Sequence, residues 1–429
     1  MLRSATTVLA LLALFGLSPV VAQPSASPVP PADSTVSEAS PPDDPERERG
    51  HWGDVRSAVS HHADDYVGAH EWDEAPYARE SAVYRSGPPF RYNRVEGLVL
   101  GVQREPLRPG ADDRTRAFGQ LAYAFGLDDI RYTAGVESRL YSTASTSLRF
   151  GVQYHEQTLS TDRWKTSSLE NSLSNIGFED GFFDYYEAEG LTVYAVQALP
   201  YTVQITAGFR AEAHRSLSRQ TDWSIFERGR FRPNPAAEDG DLRALFASLT
   251  AGHISDPGGL PSGKAVRLAT TVADGLGGSF AFTRYEADAR GFLRLTPDTR
   301  LGLRLRGGYT TSGAPPQVRF ALGGVGSMRG YVQNRFRGTR MLLANAEYLI
   351  DGATLFDDVL DDVFVGGVVD AGWVGTPGDA FRVDDVLPSA GFSVGLDERQ
   401  VRLDVVWPLR DRPDLSQTPS IRLRISPNF

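Results

Sequence analysis

"VQITAGFRAEAH", residues 203–214, alternates from end to end. Val203, Ile205, Ala207, Phe209, Ala211 and Ala213 share one parity; Gln204, Thr206, Arg210, Glu212 and His214 share the other. Successive side chains of a strand point to opposite faces, so the stretch predicts a strand with one apolar and one charged face. The same reading sets Leu301, Leu303 and Leu305 against Arg300, Arg304 and Arg306. It sets Val401, Leu403, Val405 and Trp407 against Arg402 and Asp404, and Ile421, Leu423 and Ile425 against Arg422 and Arg424.

Strands of this kind are predicted at 95–104, 117–126, 129–140, 146–156, 190–199, 202–215, 242–254, 264–275, 281–295, 299–311, 338–350, 362–374, 388–397, 399–408 and 419–429. Pro200-Tyr201, Thr296–Thr299 and Asp397–Arg399 read as short turns, whereas 157–189, 216–241 and 312–337 are long connections. A soluble sandwich also alternates, but its strands are typically ~5–6 residues long, while a tilted membrane strand needs ~9–11. Long strands, an arginine-rich polar face and short turns alternating with long loops together predict an all-β fold, a transmembrane antiparallel β-barrel. A closed bacterial barrel normally has an even strand number. One more strand is therefore expected, between residues 80 and 94 or inside 157–189, giving sixteen, with fourteen as the alternative.

The chain has 429 residues, a formal net charge of -10 and no cysteine. The acidic balance argues against nucleic acid as a partner, and the lack of cysteine removes disulfides and thiolate chemistry. Residues 1–22, MLRSATTVLALLALFGLSPVVA, have the basic start, apolar centre and small-residue end of a secretory signal peptide. Residues 23–50 are rich in Pro, Ser, Asp and Glu and predict a disordered tether. Residues 51–92 form a short N-terminal periplasmic segment, of which Tyr77, Tyr84 and Phe90 offer apolar surface for packing on something larger. The barrel is expected over 93–429. His51, His61, His62 and His70 with Asp64 and Asp65 match no metal-ligand spacing, so no metal is expected. Trp164 and the aromatics of "GFFDYYEAEG", residues 181–190, read as membrane-interface anchors.

One long connection is unusual. "FALGGVGSMRGYVQN", residues 320–334, carries four glycines and a single cation, Arg329. Its Gly323-Gly324 pair and Arg329-Gly330-Tyr331 triplet resemble the loop motif of the bacterial surface antigen family, the outer-membrane assembly superfamily of BamA-, TamA- and FhaC-like barrels. "MLLANAEYLI", residues 341–350, resembles the strand after that loop, with Glu347 at its acidic position; "VVDAGWV", residues 368–374, resembles the next strand, with Asp370 and Gly372 matching. Met328 stands where many members have valine or leucine. The C-terminal Phe429 resembles the assembly signal of outer-membrane proteins. The resemblance implies that the loop folds into the lumen and that its arginine meets acidic side chains there. Parity agrees independently: with Leu342, Ala344, Ala346 and Tyr348 outward, Asn345 and Glu347 point inward, and with Val365 and Val369 outward, Asp370 does too.

Members that insert or secrete proteins usually carry periplasmic POTRA domains, and residues 51–92 are too few for one. The expected function is therefore outer-membrane protein assembly or translocation with separate partners, namely the assembly machinery and a POTRA-bearing or periplasmic protein. The alternative is a transport channel plugged by the 312–337 loop. An outer-membrane phospholipase is less favoured: His155, His214 and His253 have no nucleophile motif beside them, and no Gly-x-Ser-x-Gly elbow occurs. No enzymatic activity and no cofactor are expected. The partner expected throughout is the lipid bilayer of the outer membrane.

Overall fold

The computed structural model describes residues 77, 80–107, 114–143, 145–200, 202–255, 261–351, 363–396, 401–411 and 418–425. The signal peptide, the tether, residues 51–76 and Phe429 lie outside the described residues.

Sixteen strands form one antiparallel sheet in which each wall strand pairs with the next. They are β1 (Arg91–Asn93), β2 (Gly97–Arg104), β3 (Thr115–Ala124), β4 (Asp129–Ser142), β5 (Ser147–Leu159), β6 (Tyr186–Leu199), β7 (Val203–Ser216), β8 (Gly240–Ser255), β9 (Ser262–Val272), β10 (Thr283–Thr296) and β11 (Thr299–Thr310). A small hairpin of its own, β12 (Phe320–Leu322) and β13 (Phe336–Gly338), interrupts the series. The wall resumes with β14 (Arg340–Asp351), β15 (Val363–Gly375), β16 (Leu387–Leu396), β17 (Val401–Pro408) and β18 (Ser420–Ile425). The sixteenth wall strand is β1, within the first of the two intervals the sequence left open, so the barrel begins at Arg91 rather than residue 93.

Burial is inverted relative to a soluble protein. On β11, Arg304 and Arg306 are 1% and 3% exposed, while Leu303 and Leu305 between and beside them are 38% and 49% exposed. Arg131, Arg402 and Arg424 are buried in the same way, and Leu121, Leu245, Leu342 and Phe392 face out. In water this arrangement would expose apolar surface and desolvate charge at the same time. In a bilayer it satisfies both, with lipid outside and a polar lumen inside. The molecule is a transmembrane β-barrel, and among the described residues no helix is long and apolar enough to cross a membrane.

The lumen is filled by three segments. Residues 311–339 turn inward, and Phe320, Leu322, Met328 and Tyr331 pack with Met341, Leu343 and Leu387 of the wall. The 160–185 connection, expected as a plain loop, contains a helix, α1 (Ser168–Phe178). Ser167 caps it by accepting from the Glu170 N–H at 2.9 Å, and Glu179 ends it in a left-handed conformation. The helix is inverted like the wall: Glu170, Asn171, Ser172 and Asn175 are buried, whereas Leu169, Leu173 and Phe178 are exposed.

The third filler is the described part of 51–92, the segment expected to be periplasmic and to pack on something larger: it runs inside the barrel. The Tyr77 hydroxyl donates to the Ala265 carbonyl at 3.1 Å, Tyr84 donates to Glu137 at 2.7 Å, and Arg210 donates to the Ala82 carbonyl at 2.8 Å. Tyr77 and Tyr84 supply the packing surface expected of them, while Phe90 is exposed. The interface-anchor reading of the 157–189 aromatics is also corrected: Trp164, Phe182, Phe183, Tyr185 and Tyr186 are buried. Their connection folds inward, so the rings meet lumen-facing arginines instead of lipid headgroups. Arg304 and Arg306 lie over the Trp164 ring at 4.8 and 4.3 Å.

The two ends of the sheet meet at α1. Glu170 accepts from the Arg424 guanidinium and from the Ile425 N–H of β18, the latter at 3.2 Å. Ser172, two residues on, accepts from the Tyr92 N–H of β1 at 3.2 Å. Among the described residues β1 and β18 share no ladder, so the helix bridges the seam.

Candidate functional site: an arginine held inside the barrel

The site is built from β14 and β15 upward. Their register pairs Asn345 with Asp370, which makes Glu347 a diagonal neighbour of Asp370 on the lumen face. Between these two carboxylates sits Arg329. Its Nε donates to Asp370 Oδ2 at 3.0 Å and its Nη2 to Asp370 Oδ1 at 2.5 Å, a bidentate pair. Its Nη1 donates to Glu347, and its backbone N–H adds a bond to Asp370 Oδ2 at 2.9 Å. Asn345 donates to Asp370 at 2.7 Å and to the Ser327 carbonyl at 2.7 Å, fixing loop and acid together. Burial works against a charged guanidinium, but Asp370 and Glu347 outweigh it and raise the Arg329 pKa above its ordinary value.

The other residues singled out in the sequence lie in the same cluster. Gly324 has φ 80°, a left-handed value that suits glycine, and the tight turn it permits brings the Gly324 N–H to the Met328 carbonyl at 2.9 Å. Gly330 lies against β16 and β17: an added Cβ would sit 2.7 Å from Ser389 Cβ and 2.9 Å from the Pro408 nitrogen. Gly323 precedes the turn, and Gly372 faces Met328 and Leu322 across the inner wall. Tyr331 donates to the Pro388 carbonyl at 2.8 Å. Met328 is fully buried.

The sequence did not join this cluster to what surrounds it. Glu347 also accepts from Arg402 Nη2 at 2.8 Å, and Arg402 Nε donates to Asp404 at 2.5 Å. Arg424 lies 3.7 Å from Asp404 and pairs with Glu170. One chain of alternating charge thus runs Asp370–Arg329–Glu347–Arg402–Asp404–Arg424–Glu170, from the loop to the seam helix. Strand parity placed Arg402, Asp404 and Arg424 on the polar face; it carried no sign that Glu170, in a connection, would complete the line.

A second anchor holds the outer loops to one another. Asp184 accepts from Arg94 at 2.9 Å, Arg232 at 2.5 Å and Asn334 at 2.7 Å, and from Arg337. Burial alone would raise its pKa, but Arg232, Arg337 and Arg94 together hold it well below the usual carboxylate range. Asp129, Glu156 and Glu187 converge closely enough to hold a cation, yet Arg131 already pairs with all three.

Residues 76–252, under half of the chain, match the C-terminal domain of DUF5686, a family of unknown function. No curated protein sequence matches. Among solved structures, BamA from Haemophilus ducreyi lacking POTRA domains 1–3 is 13% identical, with 78% of this chain and 68% of that one covered and a TM-score of 0.49. CdiB from Acinetobacter baumannii is 12% identical over 72% of this chain and 53% of its own, TM-score 0.40. The alcaligin outer-membrane receptor FauA from Bordetella pertussis is 12% identical over 76% and 52%, TM-score 0.33. The chain spans about half the length of the latter two. Such likeness adds no argument to what strand order and inverted burial carry by themselves.

Proposed function

We propose that this chain is an outer-membrane barrel that acts in the assembly or translocation of outer-membrane proteins, together with separate partners. The observation that carries the reading is the filled lumen, with Arg329 held by Glu347 and Asp370 as the surface-antigen resemblance implies. A barrel packed with ion-paired loops is poorly suited to passive diffusion. Among the described residues its shortest wall strand is β1, with three residues, where a helix bridges the ends. Work at such a wall requires substrates to be delivered, and a POTRA-bearing or other periplasmic protein would supply that step.

A gated channel is the second reading, favoured by an arginine-lined cavity that the plug leaves within the lumen. Planar-bilayer recordings separate the two. The assembly reading expects a closed baseline in the wild type, with conductance appearing in Arg329→Ala; a steady, large wild-type conductance would overturn it. A pull-down from native outer membranes should bring a periplasmic-domain protein with the chain.

A further inference from the structure

The lumen cavity beside the plug has a volume of about 150 Å³, room for several waters. Arg85, Arg163, Arg210, Arg267, Arg284 and Arg306 reach its wall, with Glu80 and Glu286 as the only carboxylates there among the described residues. The pairing is uneven. Arg306 takes Glu80 at 2.7 Å and Glu286 at 2.7 Å. Arg267 and Arg284 share the same two acids at 3.6 and 3.3 Å. Asp288, behind them, is occupied by Arg290, Arg304 and Arg306, and Arg85 turns to Glu212.

Arg210 is left over. It is 7% exposed, makes no direct carboxylate ion pair among the described residues, and feels Glu212, already held by Arg85, only as a longer-range attraction. It lies over the Phe246 ring at 4.3 Å and donates only to the Ala82 carbonyl. The Nε atoms of Arg210, Arg284 and Arg306 are buried without an acceptor, as is the Thr270 hydroxyl on the same wall. A buried guanidinium without a direct ion-pair partner is costly, and forked N–H donors match planar or tetrahedral oxyanions.

We propose that this cavity is a binding site for a compact oxyanion, a phosphate or small carboxylate solute, with Arg210 and Arg284 as its principal ligands. The site lies on the inner face of β7, β9, β10 and β11, so the anion arrives from the aqueous lumen and not from lipid. The inference does not depend on the assembly reading.

The test uses the full chain folded in detergent micelles and titrated calorimetrically with inorganic phosphate, then succinate, at ionic strength held constant with chloride. Saturable binding of at least one is expected, with a rise in unfolding temperature. Arg210→Gln and Arg284→Gln should each weaken it about tenfold or more, the loss of one charge-assisted contact. Arg300→Gln, on the same face but outside the cavity, should leave it unchanged. Absence of saturable binding of both anions to the wild type overturns the proposal, whatever the variants do. So does undiminished binding in both cavity variants, or stabilisation that chloride reproduces.

Discussion

Two arginine clusters lie inside this barrel, and they are balanced differently. Around Arg329, two arginines meet Glu347, Asp370 and Asp404 in short, mostly bidentate bonds. Around Arg210, the cations outnumber the acids and buried N–H groups lack acceptors. The first cluster fastens a loop, and every guanidinium nitrogen of Arg329 donates to a carboxylate. The second has donors and space left over. A buried ion pair is a poor source of stability in itself, but it penalises every arrangement that separates its members; a cluster with surplus charge instead favours a ligand that completes it.

The contrast is broken most severely at Asp370. Asp370→Ala strips Arg329 of its bidentate partner and should cost about 3–5 kcal/mol. It should abolish heat-resistant migration on gels and expose 311–339 to protease. Wild-type migration and wild-type loop protection in this variant would remove the fastening role.

Next in size is the acid response of Asp184. Its folded pKa lies below the unfolded one, so its stabilisation is complete above the ordinary carboxylate range. That stabilisation declines as pH falls below about 4 and is gone below the depressed folded value. Pepsin should therefore begin to cut the outer loops in strong acid while the strands remain protected. An identical acid profile in Asp184→Asn would assign the transition to other groups.

Ser167→Ala removes the cap of the seam helix and should cost about 1 kcal/mol. The loss should be read as faster hydrogen exchange in α1 and at Tyr92 and Ile425, with the other strands unaffected. Equal exchange in variant and wild type would mean that the bridge does not depend on this cap.

The smallest effect sharpens the comparison. Arg210→Gln, without added anion, should lower the unfolding free energy from urea titration by less than about 1 kcal/mol or raise it, because it deletes a buried charge with no direct ion-pair partner. Destabilisation as large as that of Asp370→Ala would show that the two clusters are equivalent.

Strand parity is a local property, which is why the wall was legible. Leu303 and Arg304 differ in face by one residue whatever else the chain does, and the inward turn of Glu347 and Asp370 follows from the same count. The capping sequence Ser167-Ser168-Leu169-Glu170 was a readable sign of α1, but its polar composition matched that of a solvated loop. Trp164 and Tyr185 illustrate the limit: aromatics at a loop–strand junction suit a headgroup layer or a lumen equally well until the direction of the loop is known.

The sequence alone determined the period, the sign of each face and the inward direction of Glu347 and Asp370; it narrowed the strand number to sixteen or fourteen. The tertiary structure decided which connections turn inward, and with that which charges are satisfied. Asp184 meets Arg337 across 153 residues, and Glu80 meets Arg306 across 226. Such pairs form only once the sheet has curled and its far wall has come within reach, and no local pattern records how far that wall stands.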